Sequence, residues 1–134
     1  MPRLRAALIC LALLFATGCG GGDSGGSGLT PTSTTLRGLA MKGPMASATI
    51  KVMRLNPDGT RGAVLAVGLS GSDGGFEVTG EISGLVAVVV TGGTYTDEAS
   101  GALIVNDRGH ELVALVTDAA DGRAITVSAL TSVA

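Results

Sequence analysis

The sequence predicts an all-β domain, a small β-sandwich of about seven to eight strands behind an N-terminal targeting segment. Three observations carry that expectation. Short apolar runs rich in Val, Leu, Ile and Thr alternate with clusters of Gly, Pro, Asn and Asp, the rhythm of packed hairpins. No stretch beyond the leader holds a convincing helical period. The composition is 46% hydrophobic but only 2% aromatic, with 22 glycines, which calls for an aliphatic core joined by many turns.

Taken in order, the first strand is expected over residues 36–42, stopped by Gly43-Pro44. The second, 48–55, places Ala48, Ile50 and Val52 on one face and Thr49 and Lys51 on the other. Asn56-Pro57-Asp58-Gly59 then turns the chain, with Pro fixing φ and Gly accepting a positive φ. A strand over 63–69 leads to the turn Gly71-Ser72-Asp73-Gly74-Gly75 and a strand over 76–79. Residues 85–90 are apolar throughout, as expected of a strand buried on both faces. Runs at 102–105, 112–117 and 125–130 complete the set. The run at 112–117 is β-rich and reads as strand rather than as a short helix.

The N-terminus reads as an address. Arg3 and Arg5 precede an uncharged apolar stretch over 6–16, about eleven residues, the length of a signal-peptide core. A bilayer span needs about 20. Ala16-Thr17-Gly18-Cys19 follows and resembles the lipobox of bacterial lipoproteins, although Ala16 stands where that family favours Leu. The resemblance implies diacylglyceryl transfer to the Cys19 thiol, cleavage between Gly18 and Cys19, and acylation of the new α-amine. The alternative is a conventional signal peptide with Cys19 as a stray thiol. Cys10 leaves with the leader, so Cys19 would have no intramolecular disulfide partner, and lipidation accounts for a lone cysteine in an oxidising compartment. Two or more acyl chains hold a protein on a membrane where one binds only marginally.

Residues 1–18 are therefore read as signal peptide, 19–33 as lipidated cysteine and tether, and 34–134 as the sandwich. The composition of 20–28, GGGDSGGSG, predicts a flexible spacer. In Gram-negative lipoproteins an Asp beside the acylated cysteine signals inner-membrane retention. Gly20 occupies that place, which favours the outer membrane, facing the periplasm or the surface, if the host is Gram-negative.

Residues 39–52, including Gly43-Pro44 and then Ala48 and Ile50, resemble the opening of a carboxypeptidase regulatory-like (transthyretin-like) domain. There a strand leads through G-P-x-x-x-A-x-V into the next. Asp73-Gly74-Gly75-Phe76 is similar to the same family's D-G-x-F turn. The resemblance covers roughly residues 34–90, about half the mature chain, and implies a Greek-key, prealbumin/Ig-like sandwich of the kind found as an accessory module on secreted proteins. Residues 91–101 and 127–134 resemble uncharacterised bacterial lipoproteins in which this domain leads into a longer helix-rich region. One reading of the end at Ala134 is thus a truncated member, with its last strand left uncapped. An in-frame remnant in the downstream DNA would support that reading, and a clean intergenic region would sink it.

The formal charge is -2, and it becomes more negative once Arg3 and Arg5 leave with the leader. Such a balance disfavours nucleic acid as a partner. His110 is the sole histidine; Asp107 and Glu111 lie near it, but no G-x-S-x-G elbow supplies a nucleophile, so no catalytic residue is assigned and the protein reads as a non-enzyme. One His and no free Cys cannot build a zinc site. Carboxylates cluster in turns at Asp58, Asp73, Asp97, Glu98, Asp107, Asp118 and Asp121, without the spaced calcium loop, and Asx-turns explain most of them. No metal site or cofactor is therefore assigned, with Asp97 and Glu98 the first candidates should calcium bind. Tyr95 is the sole tyrosine, expected to lay its ring on a sheet edge with its hydroxyl on the backbone, and is the candidate ligand contact. A chain with no Trp is poorly equipped for glycans, and the glycines at 20–28 lack the strand and helix flanks of a phosphate loop. The expectation is a lipid-anchored envelope protein with a structural or protein-interaction role, partnered by membrane lipid through Cys19 and by an envelope protein. The alternative is a small-ligand or Ca²⁺-binding protein using the loop from Tyr95 to Gly101.

Overall fold

Alternation of side chains about the strand axis sets the architecture. Along β1 (Thr34–Met41), Leu36 and Ala40 are sealed inside while Arg37 and Leu39 face out. Along β2 (Thr49–Leu55), Ile50 and Val52 are buried and Lys51 is exposed, as their spacing predicts. The computed structural model describes residues 32–119 and 122–132. Within them the chain is all-β, adding β3 (Arg61–Leu69), β4 (Gly75–Gly80), β5 (Val86–Thr91), β6 (Thr94–Thr96), β7 (Leu103–Val105), β8 (Leu112–Val116) and β9 (Ala124–Ser128).

Two sheets pack face to face. One has the order β4-β1-β9, the other β3-β2-β5-β8, and β6 and β7 form a separate hairpin. All pairings are antiparallel except β1 with β9, which run parallel. Leu36, Ala40, Phe76, Val78 and Val127 of the first sheet meet Ile50, Val52, Val86, Val88, Val90 and Ala114 of the second in one aliphatic core. The core's one phenylalanine needs room. Gly38 provides it: a Cβ there would lie 2.5 Å from the Phe76 ring and against the Ile125 carbonyl.

The central strand is β5. Val86, Val88 and Val90 point into the core, and Ala87 and Val89 are also buried although they lie on the outer face. In register, Ala87 is flanked by Met53 and Leu115, and Val89 by Lys51 and Val113, so neighbouring side chains flank both. The continuous apolar run therefore signals burial on both sides, as expected, except that Leu85 stands before the strand and is exposed.

Turns follow their chemistry. Gly59 (φ 81°) and Gly74 (φ 79°) take the left-handed conformation their turns require. Asp58, Asp73, Asp97 and Asp107 each accept a backbone N–H two or three residues on, from Thr60, Gly75, Ser100 and Gly109.

The structure differs from the sequence reading in three places. The run 102–105 does not join the sandwich: as β7 it pairs with β6, a strand the sequence reading did not separate from its loop. Seven strands thus build the two main sheets, within the seven to eight expected. The last run stops at Ser128, not Leu130, because residues 129–132 turn back and leave Leu130 87% exposed. That turn also caps the final strand, which the sequence reading left bare: the Thr131 and Ser132 hydroxyls donate to the Ser128 carbonyl, and the Ser128 N–H donates to Thr131 Oγ1.

Candidate functional site

The β6–β7 hairpin stands at one pole of the sandwich. Residues 19–33 join β1 at Thr34, and β1 runs about 26 Å at 3.3 Å per residue before Lys42 reaches the hairpin. The hairpin is therefore at the pole opposite to the start of β1. It is tied down by Ala46 and Thr94, which exchange backbone hydrogen bonds of 2.8 and 2.9 Å. Gly93 allows that approach, since a Cβ there would lie 2.8 Å from Ala48.

This tie fixes which way β7 faces. The N–H and C=O of Thr94 are turned towards Ala46, so its pair with Val105 is of the kind that exchanges no hydrogen bonds. Alternation makes Tyr95 and Ile104 the bonded pair, consistent with bonds from Asp97 N to Ala102 O and from Asn106 N to Gly93 O at either end. The N–H and C=O groups of Leu103 and Val105 consequently point outward, along an edge that no described strand covers. Their side chains are 71% and 74% exposed.

The residues singled out by sequence gather around this hairpin. The Tyr95 ring packs partly buried against the core, with the Lys42 ammonium 5.2 Å above its centre. That cation contact takes the place of the expected hydroxyl bond, which is absent among the described residues. Asp97 Oδ2 accepts from Ser100 N at 3.2 Å and Ser100 Oγ at 2.6 Å, and the Ser100 hydroxyl holds the Asp97 carboxyl below its ordinary range. The pair Asp97 and Glu98 gains no third acid: among the described residues no group of three His, Cys, Asp or Glu is placed to hold a metal. At the hairpin base, buried Asn106 donates from Nδ2 to the carbonyls of Gly92 and His110. Beside it, Gly92, Gly93, Thr94, Asp107 and Arg108 help line a recess of about 510 Å³.

His110 is exposed, and the acids near it in sequence are engaged elsewhere. Asp107 accepts from Gly109, and Glu111 forms a 2.6 Å ion pair with Arg61. Gly18 and Cys19, where cleavage and lipidation are expected, lie outside the described residues, as does Asp121.

Sequence reasoning missed the exposed edge of β7. Its signal was present: four apolar residues between Gly101 and Asn106 are too few to cross a sandwich, and Thr94-Tyr95-Thr96 after Gly92-Gly93 is a β-forming partner. A second concavity, about 370 Å³, lies where β8 and β9 face each other, lined by Ala114, Val116, Ala124, Ile125 and Thr131 among others.

No family model matches the chain. No curated protein matches it. Among solved structures, a 9R-lipoxygenase from Cyanothece PCC8801 is similar at a TM-score of 0.43 and 12% identity, over 71% of this chain and 16% of that one. The chain thus spans about a sixth of that protein's length.

Proposed function

We propose that the protein is a non-enzymatic, lipid-anchored β-sandwich of the bacterial cell envelope that presents its hairpin pole to a protein partner. The observation that carries the interaction half is the bare edge of β7, where Leu103 and Val105 combine exposed apolar side chains with outward backbone groups. Such an edge is a template for another strand. The anchoring half rests on Ala16-Thr17-Gly18-Cys19 after a leader-like apolar run. With Gly20 beside the cysteine, the outer membrane is the proposed destination in a Gram-negative host. The two halves are compatible, because β1, which follows the tether in sequence, begins at the pole opposite to the hairpin.

Intact mass spectrometry of the full chain, expressed in a Gram-negative host and compared with Cys19→Ser, tests the anchor. The expected product begins at residue 19 and carries acyl mass that the variant lacks. An unacylated soluble product from both would overturn the reading.

The second reading, a small ligand or Ca²⁺ at the loop from Tyr95 to Gly101, draws support from the recess at the hairpin base. Against it, Asp97 already spends Oδ2 on Ser100. A rise in melting temperature with millimolar CaCl₂ would favour it, since binding to the native state alone stabilises that state.

A further inference from the structure

We propose that the groove between β8 and β9 is the seat of this chain's own tether, with the Leu29 side chain on the groove floor and the backbone of residues 29–31 along the strand edges. The seat does not depend on acylation of Cys19.

Hydrogen-bond direction shows what the groove lacks. The N–H and C=O of Val113 both meet the Ser132 hydroxyl, so they face away from β5, and alternation turns the groups of Leu115 the same way. The Arg123 carbonyl accepts from Arg37 N and faces β1, which turns the groups of Ala124, Thr126 and Ser128 outward along β9. Ser132 Oγ also donates to the Ser128 carbonyl, so one hydroxyl bridges both edges and closes that end of the flank. At the other end the outward groups of Leu115, Ala124 and Thr126 meet no backbone partner among the described residues. The concavity of about 370 Å³ lies there, over Ala114, Val116 and Ile125. An apolar floor between two rows of open backbone groups fits an extended segment with one apolar side chain.

The tether meets that description and enters at that end. β1 follows it directly, Arg37 pairs with Ala124, and the Gly122 N–H donates to the Thr35 carbonyl beside groove-lining Arg123. Leu29 stands five residues before Thr34, a reach of up to about 16 Å when extended. It is the sole large apolar side chain over 20–33, where every other residue is Gly, Ser, Thr, Asp or Pro. Thr30 favours extended backbone, residue 30 is further held there by the proline after it, and Pro31 brings no N–H to leave unpaired. Val133 and Ala134, by contrast, follow Ser132 at the closed end. With Leu29 seated, the Gly/Ser run at 20–28 becomes the whole of the free spacer.

Hydrogen exchange of the full chain reads the seat directly. The amides of Leu115, Ala124 and Thr126 should exchange on the order of tenfold slower in the wild type than in Leu29→Ser. Leu29→Met should stay close to the wild type, and the core amides of β5 should be unchanged in all three. Equal rates in the wild type and Leu29→Ser, or a Leu29→Met chain that behaves as Leu29→Ser does, would overturn the proposal. Protection that survives Leu29→Ser but is lost in Val133→Ser would give the groove to the C-terminal residues. Protection lost only in Cys19→Ser would give it to the acyl chain, and either result overturns the proposal. Failure of the anchoring reading shows separately, as an unacylated product in which the contrast between wild type and Leu29→Ser persists.

Discussion

On the flank where β3 meets β4, a Cβ at Gly68 would lie 2.6 Å from Val78 Cγ1, and one at Gly80 would run into the Leu65 carbonyl. The missing side chains let the two sheets approach until backbone touches side chain. On the opposite flank β8 and β9 stand apart around a groove, and the hydroxyls of Thr131 and Ser132 occupy the strand edges instead. One flank is closed by steric fit and the other by a few hydrogen bonds. Steric fit in a packed interior has no slack, whereas a hydroxyl at a half-open edge competes with water for the same groups.

The largest effect is expected at the closed flank. Gly80→Ala forces the sheets apart and should cost about 1–3 kcal/mol, as overpacking does. Thermal unfolding should show a drop of roughly 4–8 °C per kcal/mol for a domain of this size. An unchanged melting temperature would mean that the two flanks are equally loose and would erase the contrast.

At the open flank, Ser132→Ala removes the acceptor of the Val113 N–H and a donor to Ser128 O. A loss of about 0.5–1.5 kcal/mol is expected in urea unfolding, with faster hydrogen exchange confined to Val113 and its neighbours. Exchange quickened throughout the core would instead show that this flank is as cooperative as the other.

The ion pair between Arg61 of β3 and Glu111, next to β8, links the two flanks across the outer face of the four-stranded sheet. Both side chains are over a third exposed, so Arg61→Ala should cost only about 0.2–1 kcal/mol, less in high salt. A salt-insensitive loss would point to packing by the arginine stem rather than to charge.

The smallest effect concerns pH. Asp58, in the turn beside the closed flank, is held below its ordinary value chiefly by the Thr60 hydroxyl, as Asp97 is by that of Ser100. A carboxylate with a lowered native pKa adds stability that is full above the unfolded value, near 3.8, and is lost as pH falls through the lower native one. Melting temperature should thus fall slightly below about pH 4. Thr60→Val and Ser100→Ala should each flatten that fall, and a profile unaltered in both variants would remove these turns from the acid response.

Much of the fold was legible because period-two burial is written residue by residue. Ile50 and Val52 against Lys51, and the unbroken 86–90 run, needed no knowledge of partners. The turns were equally local: Asp58 and Asp73 act within two residues of themselves. The candidate site was legible only in part. Tyr95, Asp97 and Glu98 were singled out, but the edge beside them was not, since a three-residue strand is defined by what it pairs with.

By itself, then, the sequence determined the class of fold, the strand that is buried on both faces, the turn chemistry and the leader-like segment ending at Cys19. All of these are set by neighbours along the chain. The tertiary structure decided the parallel pairing of β1 with β9, the departure of β7 from the sandwich, and the glycine-closed flank. Each depends on segments far apart in sequence, such as Thr94 meeting Ala46, which turns the groups of Leu103 and Val105 outward. Direction along a strand edge is a property of the pair, and no single strand encodes it.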